Sequence, residues 1–329
     1  MSKRPCLSII FRLSFIMFAM LTAPVAADQI TLRHVFGETT VNPEKLKRIV
    51  SVGYHEQDFL YALGLAPVGV HEWFGDYPYA TWPWAETVRT VLAATPDVQK
   101  GMEIDVEWVW SMKPDLIVAT FAPLDPRIYA QLSEIAPVIG PPENFPRWGA
   151  PWEEELKLIA QATGREENAA RIIAQLKTRI DAAAKAHPEF QNHSGTAAFF
   201  SEGLIVGYPR SDGANRLLDA LGIRTPERFD ELSGTNGRFS VSPERLDIFD
   251  LDVVLWQVDA PSQDTIKALP TWNATRMARE GRAIWADEVL TGAMSFQSPL
   301  SIGWAMDQMI PMLEIALDGN PATTNKSLD

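Results

Sequence analysis

Short apolar runs alternate with segments of helical period along most of this chain, and that alternation predicts its architecture. Arg48–Gly53 reads as a buried strand ending in glycine, and Glu56–Leu65 as a helix with Phe59, Leu60 and Leu63 on one face. Pro67–Val70, Lys113–Thr120 and Pro137–Gly140 read as further strands, with helices over about Asp105–Ser111 and Asp125–Ala136 between them. Strands alternating with helices imply a mainly parallel sheet covered on both faces.

The pattern changes at residue 151. Trp152–Thr163 is a helix stopped by Gly164, and Arg165–His187 then runs unbroken, with Ala169, Ile172, Ile173, Leu176 and Ile180 in one apolar stripe. At about 1.5 Å per residue that helix is roughly 34 Å long, enough to run from one lobe to another. The alternation then restarts. Thr196–Ser201 and Gly203–Tyr208 are strands joined by a tight turn, and Asn215–Leu221 is a helix closed by Gly222. Pro243–Phe249 is a short helix, Asp252–Gln257 and Ala283–Trp285 are strands, and Ser301–Leu317 is a final helix. The expected fold is α/β: two α/β lobes with mainly parallel sheets, joined by a single long bridging helix. The lobes are expected over residues 28–164 and 188–329, with the bridge at 165–187.

The N-terminus adds a compartment. Lys3, Arg4 and Arg12 precede or open an apolar run, Leu13–Leu21, and Val25-Ala26-Ala27 supplies the small residues a signal peptidase reads. A signal peptide over residues 1–27 is expected, with export to a periplasm. The single cysteine, Cys6, lies ahead of the apolar run, so the mature chain is expected to carry neither disulfide nor lipid anchor. An apolar content of 46% suffices for two cores, and a net charge of −13 with no basic patch argues against nucleic acid as a partner.

Chemistry-bearing motifs are few. Gly-x-Ser-x-Gly, the phosphate-binding P-loop and His-Glu-x-x-His are all absent, so the expectation is no catalysis, no cofactor and no metal site. The richest segment is Trp73–Trp84, which carries six aromatic rings in twelve residues after a strand. Stiff rings at the carboxyl edge of an α/β sheet suit the wall of a ligand cleft, although they also serve to plug the end of a lobe. Tyr54, His55 and Glu56 lie on the neighbouring loop and resemble a hard-metal site, with His71 and Glu72 nearby; hydrogen bonding to a chelate, or simple helix capping by Glu56, are the alternatives. In the second half Tyr208 and Arg210 follow a strand, where a guanidinium could pair with carboxylate or hydroxamate oxygens of a chelate or merely with Asp212. Trp256 ends a buried strand and faces either cleft or core, and Phe296 and Gln297 are weaker candidates. The expected ligand-binding set is Tyr54, Glu56, Trp73, Tyr79 and Phe121 from the first lobe, with Tyr208, Arg210 and Trp256 from the second.

Arg48-Ile-Val-Ser-Val52, Ala62–Val70, Lys113-Pro-Asp-Leu-Ile117, Gln131–Val138 and Ser298–Ile302, in that order and spacing, resemble the periplasmic binding proteins for iron–siderophores, ferric dicitrate and cobalamin. The resemblance covers nearly the whole mature chain. It implies two lobes on one long helix, a monomer, a ferric siderophore as ligand and an ABC permease dimer as partner, with an outer-membrane receptor upstream. It also implies one surface glutamate per lobe that docks to the permease, and Glu107 and Glu244 occupy the matching positions. Haem or cobalamin is the nearest alternative ligand, with Tyr54, His55 or His71 as axial candidates for haem. A siderophore-processing enzyme and a free-metal receptor are alternatives of other classes.

Overall fold

The structure, a computed structural model, describes residues 29–320 and 322–325, so the expected signal peptide lies outside the described residues. The described chain opens with an antiparallel hairpin, β1 (Ile30–His34) and β2 (Gly37–Val41). Five parallel strands follow: β3 (Ile49–Ser51), β4 (Gly69–His71), β5 (Asp97–Gln99), β6 (Leu116–Val118) and β7 (Val138–Ile139), in the order β5-β4-β3-β6-β7. They are linked by α1 (Glu56–Ala62), α2 (Pro83–Val91), α3 (Val106–Ser111) and α4 (Pro126–Ser133). From β3 the order builds outward in both directions, so the loops that follow β3 and β6 diverge and leave a crevice at the carboxyl edge between them.

Two helices lead to the second half. α5 (Trp152–Thr163) ends where predicted, at Gly164 in the left-handed conformation with φ 65°. α6 (Glu166–Ala186) is the 21-residue helix expected as the bridge, and it packs on α5 on one side and on α7 (Gly213–Ala220) on the other. Its apolar stripe does the packing: Ala169 and Leu176 are buried, and Ile172, Ile173 and Ile180 lie against the same core.

The second sheet contains β8 (Gly195–Ser201), β9 (Leu204–Gly207), β10 (Phe239–Val241), β11 (Val253–Gln257) and β12 (Ala283–Ala286), in the order β10-β9-β8-β11-β12. Only half of its pairings are parallel. The tight turn at Glu202-Gly203 forces β9 antiparallel to β8, and β10 continues the meander. The remaining helices are α8 (Arg228–Ser233), α9 (Ala260–Lys267), α10 (Arg276–Arg279), α11 (Glu288–Phe296) and α12 (Ser301–Leu317), the last with the predicted bounds.

Strand residues alternate between two layers, as a period of two requires. Ile49, Leu116 and Val118 of the first sheet, and Val253, Leu255 and Ile284 of the second, all belong to one continuous apolar core. Trp82, Trp84, Phe296 and α12 fill the space between the two sheets within that core. Val50 and Ile117 face a separate outer core, and Val254 and Trp256 face another. The two lobes are therefore fused along one face.

Candidate functional site

A cavity of about 760 Å³ lies between the lobes. Its first-lobe wall is built from three loops at the carboxyl edge of the sheet. Tyr54 comes from the loop after β3, Trp73 from the loop after β4, and Phe121 from the loop after β6. A fourth loop, between β7 and α5, adds Arg147 and Trp148. Tyr54 lies between two indoles in near-parallel stacks, with Trp73 at 5.4 Å and 15° and Trp148 at 5.9 Å and 17°. Phe121 meets Trp148 edge-on at 4.7 Å. The Tyr54 hydroxyl donates to the Met102 carbonyl at 2.9 Å, which fixes the ring in place. Offset stacks of this kind hold a flat, stiff surface at little entropic cost.

Beneath the rings lies a buried polar floor. His55 packs on Phe121 at 4.2 Å, and both of its ring nitrogens face acceptors: Nδ1 the Phe296 carbonyl at 2.6 Å, Nε2 the Glu155 carboxylate at 3.0 Å. Burial opposes a charge on His55, but the adjacent Glu155 and Glu56 carboxylates outweigh it and push the imidazole up. Glu56 is fully buried below the cavity wall. Its carboxylate accepts the Phe121 amide at 2.8 Å and the His55 amide at 3.2 Å, tying the loop after β3 to the loop after β6. Burial raises its pKa, with His55 opposing.

The second lobe closes the cavity with Tyr208, the start of α7, the loop at 234–238, Gln257 and the end of α11. Burial, reinforced by the Asp212 carboxylate, pushes the Tyr208 phenol up to about 12. Arg216 of α7 reaches across the back, donating to the Gly149 and Ala150 carbonyls at 3.1 Å each and to the Ser211 carbonyl.

Of the eight expected ligand residues, Tyr54, Trp73, Phe121 and Tyr208 line the cavity together, and four do not. Glu56 is turned inward by the two amides it accepts. Tyr79 sits in the left-handed region at φ 58°, is 39% exposed and lies under the Arg89 guanidinium at 4.5 Å, outside the cavity. Arg210 is held by Asp230 of α8 at 2.5 Å and approached by Glu227 at 3.9 Å, so its charge is spent locally, though not on Asp212. Trp256 shares the face of Val254 on β11 and fills the outer core.

The aromatic segment also divides differently from expectation. Trp73 alone of its six rings lines the cavity. Phe74, Trp82 and Trp84 converge instead on Phe296 of the opposite lobe, at 6.3, 5.8 and 5.4 Å, and weld the lobes together; Pro83 and Trp84 already belong to α2. The residues that sequence reasoning passed over are Arg147, Trp148, Arg216 and Arg238. The first two stand in a Pro- and Gly-containing loop, Pro146-Arg-Trp-Gly149, whose composition resembles that of Trp73–Trp84.

None of the three haem-ligand candidates offers an unengaged atom. His55 and Tyr54 are bonded as described, and His71 faces the Val52 carbonyl at 2.9 Å and the Gly101 carbonyl at 2.5 Å. Among the described residues, three potential metal ligands converge only at His187, Glu189 and Glu314, away from the cavity. No helix among them is long and apolar enough to cross a membrane. Glu107, near the start of α3, and Glu244, in the short helix Pro243–Phe249, are both exposed, one on each lobe.

The family model described as "Periplasmic binding protein" matches residues 49–290. Among characterised relatives, the probable siderophore-binding lipoprotein YfiY of Bacillus subtilis is 29% identical over 203 residues, or 61% of this chain; the match spans 59% of the relative's length. Among solved structures, a periplasmic solute binding protein from Mycobacterium smegmatis superposes with a TM-score of 0.77 at 31% identity, covering 88% of this chain and 99% of the other. PiaA of Streptococcus pneumoniae, in complex with ferrichrome, superposes at 0.75 with 22% identity over the same share of this chain and 99% of its own, a likeness of fold.

Proposed function

This chain belongs to the periplasmic binding protein family, and from that premise we propose that it is the receptor of an ABC importer, capturing a ferric siderophore in the inter-lobe cavity. The observation that carries the reading is the Trp73–Tyr54–Trp148 stack at the wall of a cavity of about 760 Å³. That volume is within the range of small-molecule sites, and the rings offer broad apolar contact to a ligand whose own oxygens already satisfy the iron. The names of the Bacillus relative and of the ferrichrome-bound neighbour support the same class of cargo. Catalysis plays no part in this role, and no resident cofactor is needed. The setting is extracytoplasmic, reached through a cleavable signal over residues 1–27, with the chain acting as a monomer downstream of an outer-membrane receptor.

A titration followed by tryptophan fluorescence tests the cargo, using ferric hydroxamate, catecholate and citrate complexes, their iron-free forms, haem and cobalamin. One ferric class should saturate the protein. Trp73→Ala should then weaken that class about 30- to 100-fold, the effect of removing a central aromatic anchor worth roughly 2–3 kcal/mol. Binding of haem or cobalamin alone would overturn the siderophore reading and leave the receptor role.

Delivery is assigned to Glu107 and Glu244, exposed on the two lobes where arginines of a permease dimer could meet them. Reversing both charges with Glu107→Lys and Glu244→Lys should lower uptake by intact cells about ten-fold or more, because like charges are then brought together at the dock. Affinity of the purified variant for its ligand should not change. Undiminished uptake would remove the two glutamates from the docking surface.

A further inference from the structure

The charged groups around the cavity do not balance. Of the carboxylates that line it, Glu155 is paired with His55 at 3.0 Å and Asp230 with Arg210 at 2.5 Å. Asp212 caps α7 by accepting the Ala214 amide at 3.0 Å, and it lies within the field of Arg216. Arg216 is itself taken up by three backbone carbonyls. Two lining guanidiniums are left, those of Arg147 and Arg238. Among the described residues neither forms an ion pair, and the Arg147 guanidinium lies over the face of Trp148, at 5.2 Å.

These two arginines come from opposite lobes and line the same cavity, where their loops approach each other. A methyl group on Gly237, the neighbour of Arg238, would lie 3.7 Å from the Arg147 carbonyl oxygen. Each also acts on a cavity phenol. Burial and Glu103 push Tyr54 up while the Arg147 charge opposes them, and Arg238 opposes the burial and the Asp212 charge that raise Tyr208. Both side chains are exposed and long enough to follow a ligand. In a chain of net charge −13, two uncompensated guanidiniums facing one cavity form a local exception. Guanidinium presents a planar fork of donors that matches carboxylate and other paired anionic oxygens.

We infer that Arg147 and Arg238 form a two-lobed anion clamp that selects ferric chelates of net negative charge, such as polycarboxylate or catecholate complexes, over neutral and cationic ones. The inference rests on the receptor reading above and narrows it. Charge is chosen by the clamp, and flat apolar contact is supplied by the stacked rings.

The test is isothermal titration of the wild type, Arg147→Gln and Arg238→Gln with four probes. These are iron(III) citrate, an iron(III) tris-catecholate, neutral ferrichrome and cationic ferrioxamine B in its ferric form. Tightest binding is expected for one of the two anionic probes, weakening as salt is raised. Each variant should lose about ten-fold or more for that probe, the size of a lost hydrogen bond to a charged group, with no loss for the neutral one. Tightest binding of ferrichrome or ferrioxamine B, unaffected by either variant, would overturn the clamp and leave the siderophore receptor standing. Failure of every ferric probe to bind would instead sink the receptor reading, and the clamp with it.

Discussion

Replacing Gly53 with alanine should cost the protein about 3 kcal/mol or more of stability and weaken ligand binding with it. A β-carbon at residue 53 would lie 1.8 Å from Oε1 and 2.1 Å from Oε2 of Glu56, far inside any contact distance. Glu56 has nowhere to go. Its carboxylate is fully buried and accepts the amides of Phe121 and His55, so displacing it strands two donors and a carboxylate in the interior. Those amides belong to the loops that carry Tyr54 and Phe121, and the damage therefore reaches the cavity wall. Gly64, where an added methyl meets nothing within 4 Å and the only cost is a φ of 79°, is the control. Gly64→Ala should lose about 1 kcal/mol. Urea unfolding of both variants decides the matter, and a Gly53→Ala protein as stable as Gly64→Ala would show that Glu56 has another resting place.

The second large effect concerns Asp58, whose contribution to stability should fall as pH rises. Asp58 is fully buried on α1, and one oxygen accepts both the Trp84 indole N–H at 2.7 Å and the Ser298 hydroxyl at 2.6 Å. Ser298 belongs to the opposite lobe, so this carboxyl joins the two lobes behind the cavity. Burial raises its pKa to about 6, with the Ser298 and Trp84 hydrogen bonds and the His55 charge opposing. The folded pKa lies above the ordinary value of 3.8, so the folded state binds the proton more tightly between those limits. Stability from this group is thus present at low pH and lost as pH climbs through about 6. His55 and Glu56, both pushed up, add to the trend, while His34, pushed down by burial, opposes it. Asp58→Asn has the same shape and no proton to bind. The stability of the wild type relative to Asp58→Asn should rise by about 2 kcal/mol between about pH 7.5 and about pH 4.5. A pH-independent difference would mean that Asp58 is as easily ionised here as in water.

Periodicity carried most of the fold. The bounds of α5 and α12 were legible because an amphipathic stripe and a stop signal coincide there, Gly164 in one case and the polar residues after Leu317 in the other. The hairpin at 30–41 was missed because its alternation is short and half polar, and β5 because Asp97-Val-Gln99 has no apolar run. The site was less legible than the fold for two reasons. Orientation on a strand depends on which layer a residue faces, and Trp256 is decided by a parity that composition does not reveal. Charge balance depends on partners distant in sequence: Arg210 finds Asp230 twenty residues away, and Arg147 is distinguished only by finding none.

The shared core between the sheets has a kinetic consequence. With Phe74, Trp82 and Trp84 packed on Phe296, opening the cleft widely would expose a large apolar seam, so the cavity is preformed and loading requires no slow closing step. Encounter is then limited by diffusion and orientation, and tight holding is expressed as a long residence time. Cargo held by a seam that does not open by itself leaves slowly, so rapid turnover requires an outside agent to spread the two lobes against the adhesion of that aromatic weld.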